Sequence, residues 1–368
     1  MGYLAHAADA LEPISISINL YILLACALAV VVACLVFSFN TILLVFGRRK
    51  HGRFSPRREQ LFARVITILI IFGVAGGGWD IWWHTAIGRD STFEPPHLLI
   101  YAAALFAVAL SLYAWRRSPF HGERWRRIGV AMLLVPLSAP FDALWHRIFG
   151  VENLATPIAL SWSPPHAMLS LSIAYALGNM VFILEREHNL GLRKLFPDLA
   201  LGGILSIILF ILWPFHPTEA FGQIIGFYGA GILAFAQVAV LLIAQERHKD
   251  ILDATRVSLV ALILFLITYG REIAPGLIYL PHDRAPIWLL IFSVLVPGIA
   301  FDLTRGRMPD YLRGALFGVM WAFFVTGVAV HFFALEFQYG YDKVAIAVVS
   351  GAIGGALAPL FARRFSRA

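Results

Sequence analysis

Apolar runs of about twenty residues recur along the chain, each closed by a short polar or charged segment. Eleven are read as transmembrane helices, near residues 15–46, 62–86, 95–115, 128–148, 164–184, 196–213, 221–245, 256–273, 286–303, 314–335 and 343–362. A helix needs about 20 apolar residues to cross the hydrocarbon of a bilayer. Backbone polar groups find no water there, so a spanning segment must satisfy them internally. The pattern therefore predicts an all-α, polytopic integral membrane bundle. The first run exceeds the length a bilayer needs, so it is expected to begin as an interfacial or tilted segment.

Composition agrees: 60% of the 368 residues are hydrophobic and 14% charged, against about 25% charged in a soluble domain. Charge then orients the chain. Of the 29 Lys and Arg, 24 fall on alternate connections and the C-terminal tail, and five (Arg89, Arg147, Arg271, Arg284, Lys343) on the others. The positive-inside rule places the N-terminus outside and the C-terminus in the cytoplasm. The net charge of +7 is thus a topology signal and not a nucleic-acid footprint. His51, His121, His188 and His248 fall on the cytoplasmic side, whereas His6, His84, His97, His146, His166, His216, His282 and His331 fall at the outer one. Cys26 and Cys34 form no disulfide framework and no CxxC site. The first 13 residues lack a basic segment and the next apolar run is too long for a leader, so no cleavable signal peptide is expected. The expected location is the cell (inner) membrane, multi-pass.

Chemistry concentrates in two places on the outer side. Asp80 and His84 lie four apart at the end of the second span, on one helical face. After a loop carrying Arg89 and Asp90, Pro95 and Pro96 open the third span and put His97 in its first turn. Asp142 and His146 repeat the spacing at the end of the fourth span, and Pro164, Pro165 and His166 open the fifth. Ionisable groups within spans are costly and usually functional. A carboxylate and two imidazoles at one hairpin end form a three-ligand set with an open position, suited to copper, zinc or non-haem iron. Arg89 and Asp90 either orient a ligand imidazole or form a simple loop ion pair. Trp79, Trp82, Trp83, Trp145 and Trp162 fit an interfacial aromatic belt, with a redox or shielding role as the other reading, and Trp83 and Trp145 are the ones placed next to the ligands. His216, Arg271, Glu272, His282 and Asp283 sit in outer loops that either add to a vestibule or are ordinary interfacial loops.

The first hairpin resembles the C subunit of the copper membrane monooxygenases, the particulate methane and ammonia monooxygenase family. Its D-x-x-W-H…R-D-x-x-F-x-P-x-H context is matched by Asp80, Trp83, His84, Arg89, Asp90, Phe93, Pro95 and His97, with twelve residues between the two histidines. The resemblance implies that Asp80, His84 and His97 ligate copper. The family's neighbouring site, Asn-x3-His-x13-His, corresponds to Asp142, His146 and His166. Here aspartate replaces asparagine, and nineteen residues separate the histidines. The likeness covers residues 60–185, after an N-terminal span and basic linker at 1–59. Residues 186–368 form an additional six-helix region beyond the family's C subunit.

The expected function is oxidation of a small apolar or neutral substrate with dioxygen at an outward-facing Asp/His/His copper site. Electrons would come from a quinol or another donor. The implied partners are the bilayer, substrate and dioxygen, and either companion subunits or further copies of the chain; nucleic acid is not among them. Two other classes remain open. One is a non-enzymatic copper-binding, sensing or transport protein, for which Asn179, Gln223 and Gln237 are the modest polar candidates inside spans. The other is a membrane-embedded zinc hydrolase.

Overall fold

Proline opens three of the four helices that carry the paired motifs: α1 (Pro56–Ala86), α2 (Pro95–Arg117) and α4 (Pro164–Leu184), with α3 (Gly122–Phe149) between them. A first turn has no intrahelical use for the N–H that proline lacks. Ser55 caps α1 by accepting from the Arg58 N–H at 3.4 Å. The remaining helices are α5 (Leu195–Leu212), α6 (Phe221–His248), α7 (Asp253–Ile278), α8 (Ile287–Leu303), α9 (Asp310–Ala322) and α10 (Tyr341–Arg367). The computed structural model describes residues 54–87, 94–149, 164–184, 195–212, 221–248, 250, 252–278, 287–324 and 341–367. The expected span at 15–46, Arg89, Asp90, Trp162, His216 and His282 lie outside them, as do the side chains of Trp82, His84, Gln223, Arg271 and Glu272.

Among the described residues all regular structure is helical, and ten helices coincide with ten of the eleven expected spans. Six of them, α1 to α4, α6 and α10, contain stretches long and apolar enough to cross a bilayer. Hydropathy underestimates several starts, most of all those of α1, which begins at 56 and not 62, and α3, which begins at 122 and not 128, because a helix keeps its hydrogen bonds past the end of its apolar stretch. The 31 residues of α1 reach roughly 46 Å, well beyond a hydrocarbon core of about 30 Å. α3 runs on through Pro136 and Pro140, each of which removes a ladder hydrogen bond. The nearby Ser138 hydroxyl donates to the Val135 carbonyl at 2.7 Å.

Residues Gly52–Ala368 form one compact unit. Consecutive helices α1 to α4 pack in turn, and α1 also meets α4, α5 and α7. Its inner face buries Ala63, Ile66, Ile70 and Val74, while Leu61, Ile68 and Phe72 are exposed, as an apolar face turned to lipid would be. In the second half α10 packs against both α6 and α9. Glycine permits that approach. A Cβ on Gly318 of α9 would lie 1.9 Å from the Gly351 carbonyl oxygen, and one on Gly355 of α10 would lie 1.9 Å from that of Gly314. The two Gly-x3-Gly pairs thus interlock backbone to backbone.

Polar side chains stitch one end of the bundle. The Asp302 carboxylate accepts from Gln245 Nε2 at 2.6 Å, the Thr255 N–H and hydroxyl at 2.7 Å each, and the Ala254 N–H at 3.2 Å. It thereby ties α8 to α6 and to the start of α7. Arg313 of α9 donates to the Phe301 carbonyl at 2.9 Å and also to Gln245 Oε1. At the same end of α1 to α4, buried Glu59 accepts from the Trp125 indole at 2.9 Å and from Ser118, and meets His121 Nδ1 at 3.1 Å. Gln60 donates to the Ile183 carbonyl at 2.6 Å. The helices alternate in direction, so the paired motifs emerge together at the opposite end.

Candidate metal centre

Close helix packing sets the first cluster. At Gly76 of α1 a Cβ would come within 2.9 Å of Ile100 Cγ1 on α2, so only glycine allows this approach without displacing the neighbour. One turn further on, Asp80 faces the start of α2. Its Oδ1 lies 2.9 Å from His97 Nε2, and both side chains are about one-fifth exposed. Glu94 is the N-cap of α2, with extended backbone (φ −63°, ψ 151°) and no capping hydrogen bond from its side chain. That carboxylate turns to the cluster. One ligand atom from each of Asp80, Glu94 and His97 lies within 4.8 Å of the others, and Glu94 is only 4% exposed.

Glu94 is the member that sequence reasoning passed over. It reads as an acid ahead of a Pro-Pro helix start, where negative charge suits the helix dipole. The signal that could have revealed it is its i,i+3 relation to His97. His84 lies in the last turn of α1 and its side chain is outside the described residues. Trp83 is half-buried against Trp79, with rings edge to face at 6.2 Å. Both indole Nε1 atoms are buried without a hydrogen-bond partner among the described residues.

The second set converges more loosely. Asp142 Oδ2 lies 3.4 Å from His146 Nδ1, and Asp142 Oδ1 lies 3.9 Å from His166 Nε2. The i,i+4 pair and the Pro-Pro-His start of α4 therefore meet across the α3–α4 hairpin, at distances beyond those of a good hydrogen bond. Trp145 is half-buried on the same turn of α3. Tyr101 links the two sets. Its ring stacks on His97 with centroids 5.8 Å apart, and its hydroxyl feels the charges of Asp80, Asp142 and Glu94 together. Three carboxylates thus share one neighbourhood at the end of α1 to α4.

The donors fit a divalent first-row ion. Two carboxylates and one imidazole converge within 4.8 Å, and metal–ligand bonds of about 2.0–2.2 Å require donor separations of about 3–4 Å. Imidazole suits copper, zinc and iron, and the added carboxylate hardens the set. Three-ligand sites of this kind leave a coordination position for a small molecule. The chain matches no protein-family model, no curated protein and no solved structure.

Proposed function

We propose that the protein is a multi-pass membrane oxidoreductase, similar to the C subunit of the copper membrane monooxygenases, with copper held at its outer end by Asp80, His84 and His97. The observation that carries this reading is the convergence of Asp80 and His97 across the α1–α2 hairpin, on residues that match the family's first-hairpin pattern. In the same reading Asp142, His146 and His166 hold a second ion. The N-terminus is outside, the C-terminus is cytoplasmic, and both sites face the periplasmic side.

Copper would supply activation of dioxygen toward a small apolar or neutral substrate. The residues of the chain do the rest. Asp80 and Glu94 would balance the charge of the cation, and Asp80 Oδ1 and His97 Nε2, 2.9 Å apart, would be held on either side of it. Tyr101 buttresses the other side of His97 by stacking. The Trp79–Trp83 pair, edge to face on the same turn of α1 as Asp80, would limit water there. Glu94 brings a second carboxylate that the family pattern does not call for, and this favours iron or zinc as the competing occupant.

Transport receives less support. The Asn179 side chain donates to the Tyr175 carbonyl of its own helix at 2.9 Å. Gln237 is fully buried, and neither of its amide atoms has a partner among the described residues. Neither side chain extends a polar path from the cluster.

Elemental analysis and EPR of protein purified without added metal test the proposal. Copper should co-purify, be lost in His84→Ala and His97→Ala, and support oxygen consumption with a quinol donor in the wild type alone. Full copper retention in both variants overturns the site. EPR-silent stoichiometric zinc overturns copper in favour of a hydrolase. Copper bound without oxygen consumption leaves a binding or sensing protein.

A further inference from the structure

A groove of about 330 Å³ lies between α3 and α4, running from near the start of α3 to the middle of α4. Arg126 and Arg127, near the start of α3, form its mouth. Its floor is made of small side chains, Ala131 at 4% exposure and Ser172 at 6%, both too short to fill the gap between the helices. Its walls are Val130 and Leu134 on α3 and Leu171 and Tyr175 on α4, all exposed.

From Arg127 to Leu134 is seven residues, or about 10 Å along the helix axis. Over that length the groove is lined by apolar side chains apart from Ser172 and the Tyr175 hydroxyl, and it lies open along the helix surface. An extended hydrocarbon chain suits such a shallow apolar trough. The trough runs inward from the two guanidinium groups along a helix fit to cross the bilayer, so a ligand seated in it has an anionic head and an apolar tail.

The charges at the mouth agree. Glu123 binds Arg126 Nε and Nη2 at 2.9 and 2.6 Å, and Arg127 Nε at 3.3 Å. One carboxylate thus meets two guanidinium groups, and the terminal nitrogens of Arg127 make none of these contacts. A net positive charge stands at the level of the headgroups. Phosphate matches it, since guanidinium forks bind phosphate oxygens in pairs.

We propose that this groove is a binding site for an anionic diacyl phospholipid, with its phosphodiester on Arg126 and Arg127 and one acyl chain lying over Ala131 and Ser172. The site depends on the membrane character of the helices and not on the identity of the metal, so it stands or falls separately from the copper reading.

Native mass spectrometry of the full chain in detergent, titrated with phosphatidylglycerol and with phosphatidylcholine of the same acyl chains, tests it. Each basic residue near an anionic surface strengthens binding by roughly fivefold. Wild-type protein should therefore retain phosphatidylglycerol about tenfold more tightly or better, and Arg126→Gln/Arg127→Gln should abolish that preference. Ala131→Leu, which fills the floor, should weaken both lipids. Both arginines are about half exposed, so the double variant keeps its fold, and its unfolding temperature without lipid verifies this. Equal retention of the two lipids by wild type, an unchanged preference in the double variant, or a second copy of the chain occupying the groove would each overturn the proposal.

Discussion

Glu94→Gln separates a metal ligand from a bystander. The substitution keeps volume and shape at a position only 4% exposed, so no cavity opens. Glu94 makes no side-chain capping bond, so the usual capping loss of about 0.5–2 kcal/mol does not arise. What is lost is a favourable charge at a helix N-terminus, about 0.3–1 kcal/mol. Removing one of two crowded carboxylates offsets part of that. The metal-free variant should therefore unfold within about 1 kcal/mol of wild type.

Metal affinity should behave differently. At 4 Å and an effective dielectric of 20, two unit charges interact by about 4 kcal/mol, and a divalent ion doubles this. The dipole of the glutamine carbonyl recovers part, leaving a loss of roughly 4 kcal/mol, close to a thousandfold. A residue that only braces a ligand costs about 10–100-fold. The assay is competition against a chelator of known affinity, with the EPR spectrum of the Cu(II) form recorded alongside. A loss of about a thousandfold with altered hyperfine splitting makes Glu94 a direct ligand. A loss below a hundredfold with an unchanged spectrum refutes direct ligation by Glu94 and leaves the first site as Asp80, His84 and His97.

Tyr101→Ala should weaken metal binding about tenfold by releasing the His97 ring, and Tyr101→Phe, which keeps the stack, should leave it unchanged; equal effects in a chelator competition would refute a positioning role. Gly318→Ala should destabilise the protein by about 1–3 kcal/mol in detergent melts, because its Cβ would lie 1.9 Å from a backbone oxygen. Gly77→Ala, which meets nothing within 4 Å, should be neutral or stabilising by up to about 1 kcal/mol. Asp302→Ala removes the acceptor of four hydrogen bonds and should cost about 3–5 kcal/mol, measured as a fall in unfolding temperature; a loss under about 1 kcal/mol would mean that water replaces it.

Much of the bundle was legible because each helix is coded locally. Hydropathy runs located ten described helices, and the proline starts of α2 and α4 fixed their first residues at 95 and 164. That Asp80 meets His97, and Asp142 meets His146 and His166, was legible for the same reason, since four-residue spacing and a Pro-Pro-His start are short-range signals. Long-range partners were not. Asp302 meets Gln245 across 57 positions, and Arg313 meets it across 68, so no local pattern ties them together. The Gly-x3-Gly spacing of 314/318 and 351/355 was visible, but spacing does not name the helix that a glycine face meets. Glu94 was passed over for another reason: an acid ahead of a Pro-Pro helix start needs no further partner to explain it, and only the approach of α1 shows its second use.

That approach bears on how the Asp80–Glu94–His97 cluster is held. Asp80 and His97 are mounted on helix ends, and Glu94 is the cap of one of them, so the distances among them follow the packing of α1 on α2 and not the conformation of the loop joining them. Two features fix that packing. Gly76 lets the helices close near the cluster. At the far end Glu59 of α1 holds Ser118 and His121 of the α2–α3 turn together with Trp125 of α3. A helix of 31 residues pinned at one end moves its other end through a lever about 30 Å long between Glu59 and Asp80. A tilt of only about 4° there shifts Asp80 by about 2 Å, enough to break its contact with His97. Glu59→Gln should therefore loosen metal binding from the opposite end of the bundle, and unchanged affinity in that variant would show that Gly76 alone sets the distance.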